Sequence, residues 1–343
     1  MHRRLTRRPL RLAGALLALA LTAAACGGDG ETPDDGAAGD IGVESLEIVT
    51  APTGSAFYPM GAAIATRLEE ELGIPVTAAP SAGSGENVVL LSDGSAQLGI
   101  VASNALVPAY EGETPYDTAY ETLRPIAHLY PNALIVFALA DSGIETISDL
   151  EGKRVGVGAE ARTWDHFVRP LFESQGLVYG ENMTPVYAGF DDMTRQVRDG
   201  QLDAAIATGG ADSPSPPFQE LANEVDVTVL EWDEAALEDV FEEAPYMNAF
   251  PYPGDLLLGG FEGEEYNTAD IGGPYLTTTS DLPEDLVYDI TRIFHEELDA
   301  MADEVAVLDW TADQEDAVLA QPLGDLPFHD GAVKYWQEIG AMD

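Results

Sequence analysis

A chain of 343 residues with 61 acidic and 15 basic side chains carries a formal net charge of −46. That length accommodates two α/β lobes with separate cores, and that charge makes nucleic acid and anionic lipid poor partners for the general surface. Only two lysines occur, Lys153 and Lys334, and acids are spread over every segment, a pattern that reads as adaptation to salt, because screening makes such self-repulsion tolerable.

The first 25 residues read as a leader. Arg3, Arg4, Arg7, Arg8 and Arg11 precede an apolar run from Leu12 to Ala25, a charged region, a short hydrophobic region and small residues before a cleavage point. The run is shorter than the roughly 20 apolar residues of a membrane span. Cys26, the only cysteine, follows Ala23-Ala24-Ala25 and is similar in setting to a bacterial lipobox, so lipidation is expected there; the alternative is a plain secretory signal with a spare thiol. Without the five leader arginines, 10 basic residues face 61 acidic ones, a net charge of −51. Residues 26–44, rich in Gly, Asp and Ala, read as a flexible tether. The expected product is an extracytoplasmic body, lipid-anchored to the outer face of the cell membrane.

From residue 45 short apolar runs alternate with amphipathic segments, which predicts α/β lobes with mostly parallel sheets. Strands are expected in 46–50, 75–79, 97–102, 134–140, 154–158, 184–188, 203–207 and 227–231. Helices are expected in 59–72, with Ile64, Leu68 and Leu72 on one face, and in 85–92, 163–175, 190–198, 215–223 and 283–301. The last starts cleanly, with Asp281 near the cap and Pro283 in the first turn. Residues 91–105 and 197–211 echo each other: helix end, Asp-Gly, apolar strand, small polar loop. Asp93-Gly94 aligns with Asp199-Gly200 and Ile100 with Ile206. Two similar lobes explain this, or a chance pairing of common Asp-Gly turns.

Five strand-to-helix turns share a small, polar character: "APTGSAFY" (51–58), "APSAGSGEN" ending at Asn87, "ASNA" (102–105), "GAEARTW" (158–164) and "TGGADSPSPP" (208–217). In an open parallel sheet such turns lie at the carboxyl ends of strands, where ligands bind. Each also offers the free N–H groups of a helix start, which suit carboxylates or phosphates. The run Gly156-Val157-Gly158-Ala159-Glu160-Ala161 has the form of a dinucleotide turn, but it lies mid-chain and the next strand ends in Gly189 rather than an acid. No G-x-S-x-G elbow occurs, and His128, His166, His295 and His329 lack metal-ligand spacing. No cofactor, metal or catalytic residue is expected.

In order and spacing, "TAPTGSAFYPMG", "SAGSGENVVLLSDGSAQLGIV", "IETISDLEGKRVGVGAEART", "GQLDAAIATGGADSP" and "LPEDLVYDITRIFHEEL" resemble the TAXI family of solute receptors, which serve TRAP-type secondary transporters. The closing "PFHDGAVKYWQEIG" (327–340) is similar to that family's His-Pro-Gly-Ala segment, with Asp330 in place of the proline. The resemblance runs from about residue 45 to the end. It implies a type II periplasmic-binding-protein fold: two α/β lobes joined by a hinge, with a cleft closing on a small carboxylate such as a glutamate-like amino acid or organic acid. On that reading lobe one comprises 45–131 and returns over 269–343, and lobe two comprises 132–268.

Carried over residue by residue, the resemblance offers Thr53, Gly54 and Ser55 as carboxylate donors. Phe57 and Tyr58 would wall the cleft, or else staple the helix start. Ser84, Glu86 and Asn87 match a Ser-x-Glu-Asn turn; Glu86 either binds a substrate amine or accepts N–H bonds at its own helix start. Ser103 and Asn104 match the end of the third strand, Thr163 keeps its place, and Gly209 and Gly210 belong to the fifth turn. Arg162 stands where the family has a small residue; it is a candidate two-pronged carboxylate clamp, or pairs with a surface acid. The implied partners are the ligand and TRAP membrane subunits, with the receptor monomeric and free of nucleic acid. The rival readings are a receptor of an ATP-driven importer, a ligand-presenting sensory lipoprotein, and a cleft hydrolase using Ser84 or Ser103 with His166.

Overall fold

The computed structural model describes residues 43–53, 55–158, 162–210, 214–254, 265–313 and 323–342; the side chains of 162–165, 310 and 313 also fall outside the description. The segment expected to be a leader, Cys26, and all but the last two residues of the expected tether therefore lie outside the described residues.

In chain order, β1 (Leu46–Val49), α1 (Phe57–Leu72), β2 (Val76–Ala79), α2 (Ser84–Ser92), β3 (Leu98–Ala102), α3 (Ser103–Glu111) and β4 (Leu123–His128) come first. They are followed by β5 (Ala133–Leu139), β6 (Arg154–Gly156), α4 (Arg162–Ser174), β7 (Thr184–Val186), α5 (Phe190–Arg198) and β8 (Ala204–Gly209). Next come α6 (Pro216–Glu224), β9 (Val227–Leu230), α7 (Glu234–Glu243), β10 (Asn248–Pro253) and β11 (Glu265–Asp270). The chain closes with β12 (Pro274–Thr279), α8 (Glu284–Glu296), α9 (Leu298–Ala302), α10 (Asp309–Asp313) and α11 (Asp330–Glu338). Among these residues no helix is long and apolar enough to cross a membrane.

Two sheets result, both within the compact unit of residues 40–343. The first has the order β2-β1-β3-β12-β4, and the second β10-β11-β5-β8-β6-β7 with β9 also paired to β5. This is the mixed α/β, two-sheet architecture implied by the resemblance. The chain passes between sheets twice, at Leu129–Asn132 and at Ile271–Gly273. Ala269 and Asp270 still pair with β5, so the return falls slightly later than the expected 268/269 boundary.

The expectation of mostly parallel sheets is corrected. In the second sheet β5 is antiparallel to β8, β9 and β11, and only the β6–β7 and β6–β8 pairs are parallel. The cause is connectivity. A chain that enters a lobe and leaves it by the same edge needs β5 running outward and its neighbours running back. In consequence β6, β7, β8, β9 and β11 all end towards the crossings, as do β1, β2, β3 and β4 of the first sheet.

Local chemistry explains the individual elements. In α1, Met60, Ile64 and Leu68 recur every four residues and are buried on the first core, and Gly73 closes the helix in the left-handed conformation, its N–H on Glu69 O at 3.1 Å. The two echoing segments follow the same course. α2 ends in Asp93-Gly94 before β3, and α5 ends in Asp199-Gly200 before β8, with positive φ at both glycines. The expected 283–301 helix is two, α8 and α9, with Pro283 as the residue preceding the first turn. Four strands and several helices escaped the pattern. The clearest is α3, buried along nearly its whole length with Pro108 inside it. A helix apolar on all sides shows no amphipathic period.

Candidate functional site

The first-sheet edge is built around Asn87, which has no exposed surface. Its amide nitrogen donates to Thr50 O at 2.6 Å, Ile100 O at 2.8 Å and Val49 O at 3.4 Å, so one side chain ties the ends of β1 and β3 to α2. Its oxygen accepts from Ser81 Oγ at 2.6 Å, and Ser81 also reaches Thr50 O at 3.0 Å and receives Gly83 N–H. Ser84 Oγ accepts the N–H of Ala102 at 3.0 Å. Glu86 is exposed and accepts Ala82 N–H at 2.6 Å, the helix-start alternative for this residue. These contacts make the Ser-x-Glu-Asn turn a brace for the strand ends.

Beside the brace, Ser55 N–H closes a turn onto Pro52 O at 2.8 Å, with Thr53 exposed within it. The Ser55 hydroxyl is buried and has no hydrogen-bond partner among the described residues. Phe57 and Tyr58 are half-buried in the first turn of α1, and Phe57 packs against the buried core that includes Met60, Ile64 and Leu68. Gly54 lies outside the described residues. At the end of β3, Ser103 is fully buried and donates its N–H to Gly273 O at 2.9 Å, while Asn104 donates its amide to Ile271 O at 2.8 Å.

The second-sheet edge meets the first at the crossings. Gly209 ends β8 opposite Ala133. Gly210 is buried, and a Cβ on it would touch Tyr130 and Val307 at 3.6 and 3.7 Å. Arg162 and Thr163 open α4; their side chains, and residues 159–161 before them, are outside the description. The structure therefore brings Thr50, Ser84, Asn87, Ser103 and Asn104 to one edge; Gly209 pairs with Ala133 at the start of β5, and Gly210 lies beside Tyr130 of the first crossing. His166 is exposed on α4, whereas Ser84 is bonded to Ala102 and Ser103 is sealed, so neither serine is presented as a nucleophile. Among the described residues no group of His, Cys, Asp or Glu is placed to hold a metal ion.

The distribution of acids around this edge is uneven. The helix starts that follow β1, β3 and β8 (α1, α3 and α6) have no acidic residue in the first turn. Acids occupy the first turns of α2, α5, α7, α8 and α11, of which α2 and α5 also follow strands that end towards the crossings. In a chain with 61 acids, three central helix starts keep their positive ends unneutralised.

The profile of the NMT1-like family matches residues 48–340. The chain belongs to the NMT1-like family. Solved structures similar to this NMT1-like chain include the periplasmic aliphatic sulphonate binding protein SsuA of Escherichia coli, 14% identical, covering 79% of each chain with a TM-score of 0.47. Another is a TctC solute binding protein from Polaromonas, 16% identical, covering 78% of this chain and 87% of that one with a TM-score of 0.48. A third is substrate binding domain 2 of Lactococcus lactis GlnP, 10% identical, covering 79% and 97% with a TM-score of 0.42.

Residues that no site motif singled out carry the crossings of this NMT1-like chain: Tyr130, Asn132, Asp270, Gly272 and Gly273. Asp270 is fully buried, and its Oδ1 accepts N–H groups of Asn132 at 3.1 Å and Gly272 at 2.9 Å. Burial, and secondarily the Asp270 charge, pushes the Tyr130 phenol well up. The "YPN" and "DIGGP" runs are turn signals that could have marked these positions.

Proposed function

We propose that this chain is an extracytoplasmic solute-binding receptor that captures a small carboxylate between its two halves and delivers it to TRAP-type membrane subunits. The observation that carries the reading is the set of acid-free helix starts after β1, β3 and β8, at the strand ends beside the two crossings. Backbone N–H groups there suit an anion, and no first-turn carboxylate of α1, α3 or α6 competes for them. Thr53, Ser55 and Thr163 supply hydroxyls, Gly54, Gly209 and Gly210 permit close backbone approach, and Tyr58 shields the site from water. Phe57, Ser84, Asn87, Ser103 and Asn104 hold the edge in shape, and Glu86 stands at its rim. Arg162 is assigned the clamp because it opens α4 at one of the five polar turns and its guanidinium can hold a carboxylate at two points. Cys26 is assigned the lipid anchor.

Thermal-shift screening in high salt with amino acids, mono- and dicarboxylates, sugars and cations tests the reading. A saturating carboxylate at 100 times its Kd stabilises by about 2.7 kcal/mol. A shift with a sugar or a cation and with no carboxylate refutes it. Removing a buried charged clamp costs about 2–5 kcal/mol, so Arg162→Ala should weaken carboxylate binding by roughly 30-fold or more; calorimetric titration measures this, with Arg169→Ala as the control.

A further inference from the structure

We propose that the Ile271–Gly272 peptide is the latch of the hinge, gripped at its carbonyl by Asn104 of the first half and at its N–H by Asp270 of the second. Asn104 opens α3 and its amide donates to Ile271 O at 2.8 Å. Asp270 ends β11 and its Oδ1 accepts Gly272 N–H at 2.9 Å. The two bonds fall on one planar peptide group, so the halves hold opposite ends of a rigid plate. The same Asp270 oxygen accepts Asn132 N–H from the other crossing, and Ile271 N–H donates to Asn132 O at 3.0 Å. Both crossings are thereby joined into one ribbon.

No slack surrounds the plate. Gly272 has φ +103°, which favours glycine, and a Cβ there would lie 2.7 Å from Ser103 Oγ and 2.8 Å from Asn104 N. At Gly273 a Cβ would overlap His128 Nε2 and Tyr130 O. Asp270 is fully buried and Asn104 nearly so, so water does not substitute for a lost bond. When one half rotates, Asn104 and Asp270 separate and the plate follows only one of them. Opening then breaks one grip in a discrete step. A bond to a carboxylate is roughly twice as strong as a neutral one, so the Asn104 grip is the one that breaks and Asp270 is the pivot.

The test uses the full chain with Cys26→Ser and spin labels on Glu71→Cys and Glu238→Cys, both exposed and on α1 and α7 respectively. Interlobe distances are measured in molar salt without ligand, so failure here and failure of the proposed function are distinguishable. The parent should give one narrow population. Asn104→Ala should add a second population or widen the first about twofold, Asp270→Ala should widen it further, and Asp270→Asn, which keeps an acceptor oxygen but not the charge, should fall between the parent and Asp270→Ala. Alanine variants that superimpose on the parent overturn the proposal, as does an Asp270→Asn distribution as broad as that of Asp270→Ala. Should Asp270→Ala not fold, amide exchange in the parent decides: Gly272 N–H slowed by about 100-fold or more supports the latch, and unprotected exchange overturns it.

Discussion

His329, in the closing segment, shows how a polar residue is used to build the frame. Its Nδ1 accepts Gly331 N–H at 3.1 Å at the start of α11, and its Nε2 lies 3.1 Å from Leu282 O. Nε2 must therefore carry the proton, and the ring is neutral. Burial holds its pKa below the ordinary 6.5. A histidine lowered in the folded state contributes stability in full above about 6.5, and that contribution is lost as pH falls through the folded value. Thermal midpoints of the parent should thus drop between pH 7.5 and 5. His329→Asn, which retains a capping oxygen, should show a shallower drop; parallel curves would assign the loss to other groups. Asn87 makes the companion case. Asn87→Ala leaves buried carbonyls of Thr50 and Ile100 without this donor, a cost of about 1–3 kcal/mol. Asn87→Asp keeps the shape but not the N–H groups and should be at least as damaging. Urea unfolding with an unchanged slope reads both, and parental stability in Asn87→Ala would remove Asn87 from the brace.

At the scale of elements, close packing decides what a glycine is for. Gly61 lies on the buried face of α1, where a Cβ would overlap Thr50 Cγ2; it lets the helix lie down on the end of β1. Gly85, in the first turn of α2, has open space where a Cβ would stand and no positive φ. Gly61→Ala should destabilise by about 1–3 kcal/mol through overpacking. Gly85→Ala should be neutral or stabilise by up to about 1 kcal/mol, since alanine restricts the unfolded chain. The two midpoints of urea denaturation give the comparison, and equal shifts would show that Thr50 moves aside. α11 follows the same logic. Gly331 sits where any side chain would overlap Glu284 O, so the Gly-Ala of the closing segment serves the approach of α11 to α8.

For the whole molecule the question is charge. Salt acts in two directions: it weakens ion pairs, and it screens repulsion among 61 acids. The pairs are surface contacts, such as Arg67–Glu304 at 2.6 Å, Arg292–Glu296 at 2.6 Å and Arg154–Asp203 at 3.1 Å, each worth about 0–1 kcal/mol. With so few cations the pairs are the smaller term, and relief of repulsion wins. The unfolding midpoint should climb with sodium chloride into the molar range. A flat or falling midpoint would give the acids another purpose.

The chain's own pattern was enough to locate β1, β2, β3 and β5 to β9, the helices α1, α2, α4, α5, α6 and α8, and both Asp-Gly turns, because a half-buried helix or a short apolar strand writes its period into consecutive residues. Charge and the five polar turns were legible for the same reason: each is a local property. What no local pattern could hold was where the partners are. The antiparallel run of β5 follows from the chain leaving by the edge it entered. α3 hides its period by being buried on nearly all sides. Asn87 serves carbonyls 13 to 38 residues away, and Asn104 serves one 167 residues away. The Asn87 bonds exist only once β1 and β3 have paired, and the Asn104 bond only once the chain has returned from the second sheet, so the brace and the hinge were decided by tertiary structure.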